Sequence, residues 1–143
     1  MIRTAAFQGY YTSLEKIAEY VHQSAGETGL DECSLYAVIS AVDEACTNII
    51  EHAYGGEGIG DIQCTCLTDE STLTILLQDQ GRSFDPTKIC KPDLSTSLEK
   101  RQTHGLGVYL INCFMDEVHF EFTPNSGNTL TMVKYIHEIN HLE

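Results

Sequence analysis

Apolar positions along the chain change their spacing several times, and each change predicts an element. Residues 2–8 are short and extended in character. From about Ser13 to Ala25, Leu14, Ile17, Ala18 and Val21 recur at helical spacing, with Ser13 as the expected N-cap, so a short amphipathic helix is predicted. Gly26 and Gly29 break it, Asp31 supplies the next cap, and a long helix is expected to reach about Ala53, ahead of Gly55, Gly56, Gly58 and Gly60. On this helix Leu35, Val38, Ile39, Val42, Cys46, Ile49, Ile50 and Ala53 form one stripe, which predicts the face laid on a sheet. Ala37, Ala41, Glu44 and Asn48 fall on the opposite side, with Glu44 and Asn48 one turn apart.

Two strands, Asp61 to Thr68 and Thr72 to Gln78, are expected around a turn at Asp69, Glu70 and Ser71. Residues 80–104 hold Pro86 and Pro92 and no sustained period; a loop of about 25 residues is uncommon in a compact domain unless it covers a functional site or is disordered. Gly105 to about Met115 is apolar and helical, and Glu117 to Thr123 with Thr129 to His137 predict a second hairpin around Pro124, Asn125, Ser126 and Gly127. Three helices and about five mostly hairpin-linked strands predict an α+β two-layer sandwich: a mixed, mostly antiparallel sheet with helices on one face. A single domain over residues 1–143 is expected, with its core at about 10–137.

Composition narrows the function. A formal net charge of −13 over 143 residues argues against nonspecific binding to nucleic acid or an anionic bilayer, because both need clustered Lys and Arg. The six cysteines include no CxxC pair; Cys64 and Cys66 would share one strand face, so reduced, mostly core thiols are expected rather than a metal site or disulfide scaffold. The N-terminal MIRTAAFQGYYTS lacks the apolar run of a signal peptide, and no 18 apolar residues run together. A cytoplasmic protein without a membrane partner is the expectation.

Three short stretches carry candidate chemistry. Glu44 and Asn48 project together from the helix. In DQGRSFDP, residues 79–86, an acid ends an apolar strand and a glycine two residues on lets a ligand lie against the backbone. In HGLGVYLI, residues 104–111, two glycines ahead of a helix can turn backbone N–H groups toward a phosphate. Each has an ordinary structural explanation as a solvated face, a turn and a loop-to-helix junction, and a dinucleotide fingerprint is absent. Charge links them: Arg82, Lys88, Lys91, Lys100 and Arg101, five of the eight basic residues, lie in the loop 80–104. A basic segment between two glycine motifs suits a lid, at about 82–104, over a polyphosphate.

In this order EACTNIIEHAY (Glu44 to Tyr54), DQGRSFDP and HGLGVYLI resemble the N, G1 and G2 boxes of the Bergerat ATP-binding fold shared by gyrase, a heat-shock chaperone, histidine kinases and MutL. The short chain, the FDP ending and the GLGVYLI form resemble most the bacterial anti-sigma factor serine kinases. The resemblance implies Glu44 as general base toward a serine hydroxyl and Asn48 as the Mg²⁺ ligand. It implies Asp79 as acceptor from the adenine amino group, Gly81 as the point of close approach, and Phe84, Leu106 and Thr129 among the nucleotide contacts. Gly105 and Gly107 would offer N–H groups to the phosphates, and Lys100 or Arg101 would reach the γ-phosphate. Ser83 stands where the family's G1 box has a second glycine. The implied substrate is a STAS-type anti-anti-sigma protein, with a sigma factor as a second partner and a homodimer as the working form. A non-catalytic ATP- or partner-binding module and a histidine-kinase catalytic domain stay open as alternatives; the latter would need a phospho-accepting helix pair, and His22 lies on a helix with no second helix beside it before Asp31.

Overall fold

The computed structural model describes residues 1–83 and 103–137, the side chains of the second segment from residue 108 onward. Strand β1 (Ile2–Gln8) leads into helices α1 (Ser13–Ala25) and α2 (Glu32–Asn48), and α2 continues as a π-helical turn over Ile49–Ala53. Strands β2 (Asp61–Thr68) and β3 (Thr72–Asp79), helix α3 (Thr103–Phe114) and strands β4 (Glu117–Thr123) and β5 (Gly127–Tyr135) follow. The strands join in the order β1-β2-β3-β5-β4, and all four pairings are antiparallel. The expected α+β sandwich is formed, and no parallel pair occurs among the described strands.

Alternation builds the core. Ile62, Cys64 and Cys66 of β2, Leu73, Ile75 and Leu77 of β3, and Leu130 and Met132 of β5 point inward, with more exposed residues between them. They meet Ile17 and Val21 of α1, Val38, Val42, Cys46 and Ile50 of the long helix, and Ile111 of α3 in one cluster. The predicted stripe therefore does face the sheet. Ala41 is a correction: it is fully buried rather than on an open face. It lies one turn from Ala45, which is also buried, and α2 packs against both α3 and α1.

The expected cap at Ser13 is also corrected. Thr12 precedes the helix without a side-chain cap, and Ser13 is its first, buried residue. The turn before it explains this: Tyr10 and Tyr11 carbonyls accept from the Ser13 and Leu14 N–H groups at 2.9 and 3.1 Å, so no side chain is needed. Asp31 does cap α2, its carboxylate accepting from the Ser34 N–H at 2.6 Å.

Over Glu32–Ala53 the helix is long and apolar enough by length and composition to cross a membrane. Its buried residues instead pack on the sheet and on the flanking helices, and Asp43, Glu44 and Glu51 lie along it. Cys46, Cys64 and Cys66 are buried, Cys33 and Cys113 are exposed, and none of these five is bridged. Burial pushes the Cys46 thiol well above its ordinary value, as an inert core thiol requires. Cys90 lies outside the described residues.

Candidate functional site

The last rung of the β3–β5 ladder sets Asp79 opposite Asn128. Asp79 is only 4% exposed, the one buried carboxylate among the described residues. Its Oδ1 accepts from the Gly81 N–H at 2.9 Å and from Asn128 Nδ2 at 2.8 Å, while no hydrogen bond among the described residues reaches Oδ2. Burial pushes this carboxyl above its ordinary value, and the bonds from Asn128 and Gly81 pull it back in part. A buried acceptor oxygen without a donor is costly, and a ligand amino group would remove that cost.

Asp79 and Asn128 lie in a largely apolar pocket. Ala45, Asn48, Ile49, His52 and Ala53 of the long helix form one wall, Val108 and Ile111 of α3 another, and Arg82 and Ser83 stand at its edge. The π-helical turn shapes this edge. Tyr54 N–H donates to the Ile49 carbonyl at 2.9 Å, five residues back, and the freed Ala53 and His52 carbonyls accept from Arg82 N–H at 2.8 Å and Arg82 Nη2 at 3.0 Å. The strand end is thus tied to the helix end. Gly81 makes the approach possible, since a Cβ there would stand 2.5 Å from the Ala53 carbonyl. Tyr54 fastens the same corner: its hydroxyl donates to the Asp61 carbonyl at 2.6 Å and accepts from the Gln80 N–H at 2.9 Å.

The predicted residues divide clearly. Asn48 and Asp79 come together in one pocket from points 31 apart in sequence (79 − 48). Glu44, half-buried one turn before Asn48, stands outside the pocket lining; partial burial, then Asp43 and Glu51, push its carboxyl up. The close approach at Gly81 is to the protein's own helix end. Gly105, Leu106 and Gly107 fall inside α3, which starts at Thr103, so the glycine pair does not precede the helix as expected. Gly105 is its third residue, among those whose N–H groups lack an intrahelical acceptor. Thr129 also lines the pocket and pairs with Gln78 and Glu121, while the residue of β5 whose side chain bonds Asp79 is its neighbour Asn128. Phe84, Lys100, Arg101 and nearly all of the expected lid lie outside the described residues.

Sequence reasoning missed Asn128 and His52. Asn128 follows Gly127, whose φ of 85° and close contact with the Asp79 carbonyl admit no side chain. That glycine was the available signal, but only the β3–β5 pairing shows which neighbour faces the acid. Nothing in the period of the helix separates His52 from an ordinary surface residue.

ATP, as the resemblance implies it, fits the donor-poor floor at Asp79, and Asn48 could offer Mg²⁺ one amide oxygen beside phosphate oxygens and waters. Among the described residues no group of three or more His, Cys, Asp or Glu side chains could hold a metal by itself.

Residues 7–134 match the model of the histidine kinase-like ATPase domain. A serine-protein kinase RsbW of Bacillus cereus strain AH187 is 37% identical over 116 residues, covering 78% of this chain and 71% of the relative. Serine-protein kinases RsbW of Bacillus cereus strain AH820 and of Bacillus anthracis strain CDC 684 are 40% identical over 100 residues, 67% of this chain and 61% of each relative. The chain thus spans somewhat over half to about seven-tenths of these relatives. A crystal structure of the RsbU and RsbW domains of a Mycobacterium tuberculosis protein superposes with a TM-score of 0.66 at 13% identity, over 94% of this chain and 32% of that one, and shows the shared fold. The chain belongs to the histidine kinase-like ATPase domain family.

Proposed function

We propose that this chain transfers the γ-phosphoryl group of Mg-ATP to a serine of a STAS-type anti-anti-sigma protein, and that it also holds a sigma factor, working as a cytoplasmic homodimer. The buried Asp79 carboxylate, whose Oδ2 has no donor among the described residues, in an apolar pocket that Asn48 also lines, carries the nucleotide half of this reading. Asp79 binds and orients the base through its amino group, and the apolar walls of the long helix and α3 exclude water from it. Asn48 would hold Mg²⁺, which when bound neutralises charge on the phosphates. Glu44 takes the proton of the attacking serine hydroxyl, a task that suits a carboxyl raised toward neutrality by partial burial and two neighbouring acids. The relatives, named as serine-protein kinases, favour serine over histidine as acceptor.

A second reading, a nucleotide-holding module without transfer, draws on the position of Glu44 outside the pocket lining. Incubating the purified chain and a STAS-type partner with radiolabelled Mg-ATP separates the two. Label on a partner serine, lost with Glu44→Ala, is expected; equal labelling by that variant would remove Glu44 from the mechanism, and nucleotide binding without any labelling would favour the module.

A further inference from the structure

Asn128 Nδ2 has three neighbours within hydrogen-bond distance: Asp79 Oδ1 at 2.8 Å, the Arg82 carbonyl at 2.7 Å and the Gly81 carbonyl at 3.5 Å. All three are acceptors, so the amide can stand only one way round, with its nitrogen toward them and its oxygen away. Oδ1 then has no donor among the described residues, and Asn128 lines the same pocket as Asp79. Asp79 Oδ2 and Asn128 Oδ1 are thus two acceptors without donors among the described residues, on two residues that line one pocket.

We propose that Asn128 is a specificity-determining residue for the base: its amide oxygen takes the second hydrogen of the exocyclic amino group whose first hydrogen goes to Asp79. Two acceptors on residues paired across the ladder match an amino group, which has two donors, and repel the ring carbonyl that guanine carries at that position. The same amide, through Nδ2, ties the carboxylate to the chain leaving β3, so both acceptors keep one geometry.

This inference rests on the nucleotide reading, and titration calorimetry on the full chain with Mg²⁺ tests both. The wild type should bind ATP at least about tenfold more tightly than N6-methyl-ATP, which keeps only one amino hydrogen; one lost hydrogen bond to a buried acceptor is of that order. Asn128→Ala should bind the two within about threefold of each other, since the second acceptor is gone. Asn128→Ser, which keeps a short donor near Asp79, should behave as Asn128→Ala does and serves if the alanine variant does not fold. Wild-type discrimination retained in these variants would overturn the role of Asn128 and leave the nucleotide site standing. No binding of either nucleotide by the wild type would overturn the site and the inference with it.

Discussion

Asn128 Nδ2 donates to Asp79 Oδ1 at 2.8 Å across the last rung of the β3–β5 ladder, joining residues 49 positions apart. The bond holds a carboxylate that burial penalises, and it leaves the second carboxylate oxygen facing the pocket without a partner among the described residues. A protein gains no stability from such an oxygen; a ligand does.

Asp79→Asn should therefore separate stability from binding. With Mg-ATP at about 100 times its dissociation constant, the wild type should gain roughly 2.7 kcal/mol, near 5 to 15 °C in Tm for a chain of this size. Asp79→Asn should lose most of that gain. Without ligand its Tm at neutral pH should equal or exceed the wild type's, because no charge is buried. The sign follows from linkage: a carboxyl raised by folding keeps its proton in the folded chain after the unfolded chain has released it, so wild-type stability falls as pH rises through that interval and is level above it. The Tm difference between variant and wild type should grow across the same interval, as scanning calorimetry from pH 4 to 8 would read.

Glu44→Gln should leave the Mg-ATP gain in Tm nearly intact and slow phosphoryl transfer by about 100-fold or more, the usual loss on removing a general base. Partial burial, with Asp43 and Glu51 beside it, raises the Glu44 carboxyl, so the wild-type rate should fall on the acid side of a value above the ordinary glutamate range. The variant should show no such limb. Rates of serine labelling against pH decide this.

Gly81→Ala forces a methyl group toward the Ala53 carbonyl, which the π-helical turn holds in place through Arg82. The strand end or the helix end must shift, and a cost of about 1–3 kcal/mol is expected from overpacking. Chemical denaturation should show it, with weaker Mg-ATP binding because Asp79 and Asn48 sit on the two elements pushed apart.

Tyr54→Phe removes a hydroxyl that bonds both the Asp61 carbonyl and the Gln80 N–H. About 1–2 kcal/mol of stability should be lost, the worth of two modest hydrogen bonds. Nucleotide affinity should fall several-fold as the chain beyond Asp79 loosens, which titration of the variant would measure.

Much of this was written in local pattern. The helical period and Asp31 placed the long helix, alternation placed β2 and β3, and the turn at Asp69 was legible because its carboxylate accepts from Ser71 and Thr72 N–H groups at 2.7 Å. Glu44, Asn48 and Asp79 could be singled out because short motifs keep their chemistry within a few residues. Ala41 and Ser13 depart from the expectation, one because helix packing buries a position that the period assigns to solvent, the other because turn carbonyls can replace a capping side chain.

By itself the sequence determined the elements, the sandwich class and the acid that ends β3, since propensity, period and turn chemistry act over one to four residues. The partner of that acid was decided only in the tertiary structure. β5 joins β3 from the far side of α3, and a register one residue different would have set Thr129, not Asn128, on Asp79. Which side chains share a pocket depends on that long-range pairing, and no local preference encodes it.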